Sequence, residues 1–182
     1  MADEIQVGNT TIKLWEGDIV KAGTEAIVNA ANEHLSPGGG VCGAIYRAAG
    51  YEVLDRLTAP FGGCPTGSAV ITGAGRLPAP TRYIIHAVGP VYGSYKEKEA
   101  NRLLADAYRK SMELAELQNI KSVAFPSIST GIYGFPIQKA APIAIHTVKQ
   151  FLKEEKPAIE LVQFVLFSPE DYAVYQQLLE KA

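Results

Sequence analysis

The chain has 182 residues, with 17 Lys and Arg against 19 Asp and Glu for a formal charge of −2, and 47% of it is hydrophobic. That length suits one compact domain over residues 1–182, while the near balance of charge excludes a broad positive field, so nucleic acid is not an expected partner and any phosphate site must be local. No run approaches the ~18–20 apolar residues of a membrane span, and the acidic start MADEIQ lacks the features of a secretory leader, which predicts a soluble, cytoplasmic protein with no membrane partner.

In chain order, TIKLWEGDI alternates Ile12 and Leu14 with polar neighbours, as a half-buried strand does, and EAIVNAA is a short apolar run of the kind found in a strand covered on both faces. The glycines after it lead into a helix expected to begin near Cys42 or Gly43. SAVITGA, RYIIHAVGP, SVAFPSI and ELVQFVLFS are further strands, rich in β-branched or aromatic residues and closed by Gly, Pro or Ser. Helical spacing joins Ala100, Leu103, Leu104, Ala107, Tyr108, Ser111, Leu114 and Ala115, and later Ala141, Ala144, Ile145, Val148 and Leu152. A last helix starts at Pro169, capped by Ser168. Strands alternating with helices predict an α/β domain with a mostly parallel sheet covered on both faces. The two cysteines, Cys42 and Cys64, and the histidines His34, His86 and His146 have no metal-ligand spacing, so no metal, disulfide or cofactor is expected.

SPGGGVCGAIYRAAG, Ser36 to Gly50, satisfies GxGxxG through Gly38, Gly40 and Gly43. Its context is not that of a dinucleotide fold, which needs a strand running straight into the glycines and an acid roughly 20 residues on. Glu33 to Pro37 intervene here, and TAPFGGCPTG contains no acid. The glycines can nevertheless direct main-chain N–H groups at an anion beside a helix N-terminus; the alternative is a mobile connection. A second loop, Ser129, Thr130, Gly131, Ile132, Tyr133 and Gly134, again joins a strand to a helix. Two such loops at the carboxyl ends of strands suggest a diphosphate site. Tyr133 and Phe135 would cover a sugar or base, or fold onto the core.

Taken together and in order, GDI (Gly17 to Ile19), NAAN (Asn29 to Asn32), GGGVCGAIYRAAG, CPTGSAVITGAGRLP, YIIHAVGP and SISTGIYGFP resemble the macro domain family over nearly the whole chain. The likeness is closest to its MacroD-type branch, whose members bind ADP-ribose and hydrolyse O-acetyl-ADP-ribose or remove ADP-ribose from acidic side chains. It implies a three-layer α/β/α fold around a mixed, mostly parallel sheet. It also implies that Asp18 accepts from the adenine amino group beside the Ile19 backbone, and that Phe167, or Tyr172, flanks the ring. Asn29 and Asn32 fall on the ribose side, Asn32 facing the distal ribose. The diphosphate is expected between Gly39, Gly40, Val41 and the loop Ser129 to Tyr133. His86 is expected to be a packed structural histidine rather than a catalytic base, and Cys64 and Pro65 a structural turn.

One position departs from the hydrolytic pattern: the residue after GGGV is usually an aspartate, and here it is Cys42. A carboxylate there would orient or deprotonate a water, which a neutral thiol does poorly. With Cys42 as the doubtful catalytic position, Asn32 and a ligand phosphate remain to position water. A helix N-terminus lowers a thiol pKa, so Cys42 is a candidate nucleophile, with His34 a nearby base, or a redox-sensitive gate; the alternative is a small residue that merely fills space. Three functions are compatible with these residues: an ADP-ribosyl ester hydrolase with weakened activity, a reader of ADP-ribose without turnover, and a binder of adenine-containing RNA, which the balanced charge disfavours.

Overall fold

The computed structural model describes residues 2–181. Seven strands, β1 (Glu4–Val7), β2 (Thr10–Glu16), β3 (Ala26–Ala30), β4 (Ala69–Gly73), β5 (Tyr83–Ala87), β6 (Ser122–Phe125) and β7 (Leu161–Leu166), form one sheet in the order β1-β2-β7-β6-β3-β5-β4. The helices are α1 (Gly40–Ala49), α2 (Tyr51–Thr58), α3 (Glu97–Leu117), α4 (Ile137–Glu155) and α5 (Pro169–Glu180). The five inner strands pair in parallel, while β1 on β2 and β4 on β5 are antiparallel. None of the helices described is long and apolar enough to cross a membrane.

The layering follows from the two-residue period of a strand. Ile27, Ile84, Ala124 and Val165 point to one face and pack with Ile45, Tyr46 and Leu54 of α1 and α2. Their neighbours Val28, Ile85, Val123 and Phe164 point to the other, onto α3, α4 and α5. The strands therefore read as unbroken apolar runs because both faces are covered. The result is the α/β/α arrangement with a mixed, mostly parallel sheet.

Two features differ from the reading of the sequence. β1 was not anticipated, because four residues with only Val7 buried carry too little alternation to be legible. The helix expected near Cys42 or Gly43 begins at Gly40 and stops at Ala49, where Gly50 at φ 97° turns the chain into α2. The C-terminal helix starts as expected, with the Ser168 hydroxyl accepting from Asp171 N–H at 3.1 Å.

Buried polar groups pin the sheet to the loops at its carboxyl edge. Tyr108 of α3 is 1% exposed, and its hydroxyl donates to the Pro126 carbonyl at 3.3 Å and accepts from Ile128 N–H at 3.0 Å. It thus fixes the chain as it leaves β6. His86, the penultimate residue of β5, is wholly buried. The Thr72 hydroxyl donates to the Gly73 carbonyl at 2.8 Å, so its oxygen accepts from His86 Nε2 at 2.9 Å, and Nδ1 is left to accept from Asn29 Nδ2 at 3.2 Å. This is the packed histidine the sequence suggested. Burial pushes its pKa down to about 4.

Two measurements test these pins. Tyr108→Phe leaves a buried carbonyl and a buried N–H without their partner and should lower the unfolding free energy by about 1–3 kcal/mol in urea titrations. For His86 the unfolded chain protonates first as the pH falls below about 6.5, whereas the folded chain resists until about 4. Its contribution, on the order of 3 kcal/mol, is therefore complete above neutral pH and lost on acidification through that window. His86→Gln should flatten the fall of stability between those two pH values.

Candidate functional site

The parallel strands deliver their carboxyl ends to one edge, and the chain leaving β3 builds the first wall. Asn32 gathers the turn behind it. Its Oδ1 accepts from His34 N–H (3.1 Å), Ser36 N–H (3.1 Å) and Ser36 Oγ (3.2 Å), while its Nδ2 donates to the Ser36 carbonyl at 2.9 Å. The glycines that follow have separate reasons. Gly40 stands at φ 55°, a left-handed conformation that favours glycine. At Gly43 a Cβ would lie 2.7 Å from the Gly38 carbonyl oxygen, so the loop folds back tightly onto the helix. Gly39 is the N-cap of α1 and has no side chain to satisfy the first turn. The N–H groups of Gly40, Val41 and Cys42 are thus left without intrahelical acceptors, at the positive end of the helix.

The second wall follows β6. Ser129 is 6% exposed and adopts φ 69°, and its carbonyl accepts from Phe135 N–H at 2.9 Å, closing the loop. The loop is pressed against the end of β5: a Cβ on Gly89 would lie 2.2 Å from Ser129 Oγ. The N–H groups of Gly131, Ile132 and Tyr133 donate to no protein acceptor among the described residues. Ile132 at the tip is fully exposed. Ser129 Oγ is buried without a hydrogen-bond partner. Between the two walls lies a cavity of about 230 Å³ lined by Ala30, Asn32, Gly38, Gly39, Cys42, Ser129, Gly131, Ile132 and Tyr133. Such a cavity, with free amides in both of its walls and no cation in its lining, can hold an anion through the main chain.

At the far end of the same edge, Asp18 leaves β2 and caps a short 3₁₀ turn, Ile19–Lys21, with Oδ1 accepting from Val20 N–H at 3.1 Å. Its second carboxylate oxygen has no protein partner among the described residues, and neither does Ile19 N–H, although the Ile19 side chain is buried in the core. Gly17 N–H donates to the Leu166 carbonyl at 3.1 Å, which brings Asp18 beside Phe167, 62% exposed. Tyr172 is committed elsewhere: its hydroxyl donates to Asp3 at 2.6 Å. Phe167 is the aromatic free to flank a ring.

Three expectations need correction. Phe135 does not cover the cleft; it is 1% exposed, its ring tilted 52° against that of Tyr92 with centroids 4.6 Å apart, because the loop closes over it. Asn29 does not face the cleft either. It is buried behind Cys42, its Nδ2 donating to His86 and towards Cys42 Sγ at 3.7 Å. The Cys42 thiol does not have a lowered pKa: burial raises it, outweighing the Asn29 amide and the Gly38 backbone, which lower it. Its S–H is directed to the Ser36 carbonyl at 3.8 Å, and His34 is exposed, with its contact being to Asn32 instead. Cys42 is a neutral thiol at the floor of the cleft.

Cys64 and Pro65 form the structural turn expected of them, with Cys64 N–H donating to the Glu33 carbonyl at 2.8 Å. The Thr72–His86–Asn29 chain behind Cys42 was missed, because nothing in the spacing of those three residues links them. Gly89 was missed too, although a glycine before Pro90 at the end of a strand is a sign of close backbone approach. A larger groove of about 500 Å³ runs between α4 and α5 past His146, Lys149 and Leu178, and none of the candidate site residues lines it. Among the described residues no three His, Cys, Asp or Glu side chains cluster as metal ligands.

Residues 28–144 match the model of the Macro domain family. A macro domain-containing protein of Caldanaerobacter subterraneus subsp. tengcongensis is 51% identical over 173 residues, covering 93% of this chain and 96% of its own. The O-acetyl-ADP-ribose deacetylase of Citrobacter rodentium is 46% identical over 174 residues, with 94% and 96% covered. Among solved structures, a mutant Oceanobacillus iheyensis macrodomain with ADPR superposes with a TM-score of 0.89 at 42% identity, over 98% of this chain and 96% of that one. With the fold, the order of its loops and these likenesses in agreement, the chain belongs to the macro domain family.

Proposed function

We propose that the cleft binds ADP-ribose and that the protein hydrolyses esters of its distal ribose, either O-acetyl-ADP-ribose or mono-ADP-ribosylated protein side chains, at a rate limited by Cys42. The observation that carries this reading is the pair of loops that carry unbonded N–H groups and border one cavity. A diphosphate bridging them would accept from Gly40 and Val41 on one side and from Gly131, Ile132 and Tyr133 on the other, without needing a metal. Adenine would lie at the Asp18 end, its amino group donating to the free carboxylate oxygen, Ile19 N–H donating to a ring nitrogen and Phe167 flanking the ring. That leaves the distal ribose to Asn32, through the second hydrogen of Nδ2. The relative bearing ADPR and the one named for deacetylation supply the ligand and the reaction class.

Hydrolysis adds one water across the ester, giving ADP-ribose and a carboxylate, with the proton passing to solvent. Cys42 stands where a base would accept that proton, but its neutral thiol donates to Ser36 instead. The protonated thiol favours a second reading, a reader that binds and does not turn over. Water held by Asn32 and a ligand phosphate would react by orientation alone.

Calorimetry with ADP-ribose, ADP and AMP, together with an assay for free ADP-ribose released from O-acetyl-ADP-ribose and from a modified protein, tests both readings. Binding without release identifies the reader. Asp18→Ala should weaken ADP-ribose binding by about 1.5–3 kcal/mol, the loss of a charge-assisted hydrogen bond; an affinity within error of wild type removes the adenine assignment. Cys42→Asp should raise turnover by roughly 10²–10⁴-fold, the usual reach of general acid–base catalysis. An unchanged rate would mean that the thiol is not what limits it.

A further inference from the structure

Asn32 and Tyr133 each line two cavities. On one side is the anion cleft; on the other is a separate cavity of about 260 Å³ whose remaining wall includes Glu33, His34, Thr66, Gly89, Ser94 and Tyr95. Nothing assigned above uses it. Its shape is held from several directions. Tyr92 N–H donates to the Tyr133 carbonyl at 2.9 Å, tying the 91–95 segment to the second loop. Glu33 Oε2 accepts from Thr66 N–H at 3.3 Å, tying the turn after β3 to the turn before β4. Gly89 packs against Ser129 at the back.

We propose that this cavity is an acceptor subsite for the polypeptide that carries the ADP-ribosyl group, its modified side chain crossing between Asn32 and Tyr133. The proposal rests on the reading that ADP-ribose occupies the cleft with its distal ribose at Asn32, since whatever is attached to that ribose then leads across the shared wall. Size points away from a small acyl group. An acetyl group fills on the order of two water volumes, about 60 Å³, and would leave most of the cavity unused. Lining chemistry points to a peptide: the Thr66, Ser94 and Tyr95 hydroxyls both donate and accept, as main-chain amides require. Tyr95 and Val91 stand 37% and 42% exposed at the rim, an aromatic and an aliphatic contact of the type that interfaces favour. Charge points away from nucleic acid. The wall contains a carboxylate, Glu33, and no Lys or Arg, the reverse of what a phosphodiester chain requires.

The test compares three ligands by calorimetry: ADP-ribose, a peptide carrying ADP-ribose through an amide that resists ester hydrolysis, and an ADP-ribosylated oligonucleotide. The wild-type protein should bind the peptide about tenfold more tightly than ADP-ribose, the worth of one or two added hydrogen bonds, and the oligonucleotide no more tightly. Ser94 is exposed, so Ser94→Trp fills the cavity without disturbing the core. That variant should keep its affinity for ADP-ribose and lose the preference for the peptide. Equal binding of peptide and ADP-ribose by wild type overturns the subsite, as does a preference that survives Ser94→Trp or is shared by the oligonucleotide. Failure of wild type to bind ADP-ribose at all is a different result, which overturns the reading of the cleft and the subsite with it.

Discussion

Parallel pairing is the constraint on which the rest depends. Because β2, β7, β6, β3 and β5 run the same way, their carboxyl ends and the loops that leave them meet along a single edge. Apart from the short 3₁₀ link between β2 and β3, the connections return over a face of the sheet as helices, and the turn into such a helix exposes N–H groups that no helical carbonyl can satisfy. The cleft is assembled from these remainders. Asp18 follows β2, Asn32 follows β3, Gly89 follows β5, Ser129 follows β6 and Phe167 follows β7. Distances among them are set by strand spacing and by contacts such as that of Gly89 with Ser129.

Much of this was legible in the residues themselves. β3, β5, β6 and β7 are short apolar runs because both of their faces are buried, and α3 and α4 show unbroken apolar stripes because one side of each rests on the sheet. Ser168 and Pro169 mark a helix start through local chemistry alone. What escaped depends on contacts distant in sequence. β1 acquires its meaning only by lying antiparallel on β2. Phe135 and Tyr133 are nearly adjacent and both aromatic, yet one is in the core and the other lines the cleft, a division set by the turn between them. No local pattern distinguishes Asn29, which faces His86, from Asn32, which faces solvent and loop.

At Cys42 burial outweighs the hydrogen bonds that would favour a thiolate. A thiol at the start of a helix is ordinarily the place to look for a thiolate, but here the side chain is 6% exposed, and desolvation is the larger effect. Behind it stands a chain of fixed polarity, Thr72 to His86 to Asn29, that points an amide donor at the sulfur. Such a donor suits an anion better than a neutral thiol. The surroundings of position 42 therefore remain compatible with a carboxylate, while the residue found there receives only a weak sulfur contact.

In the proposed reading Asn32 performs two tasks with one side chain. Four of its hydrogen bonds are spent inside the turn from residue 32 to 36, and that turn sets where the glycines begin. Shortening this side chain would untie the backbone before it denied a sugar anything. A dead variant at this position would thus report a collapsed scaffold as readily as a missing catalytic group, and an aspartate substitute, which turns the donor facing the Ser36 carbonyl into a second acceptor, would set two oxygens against each other.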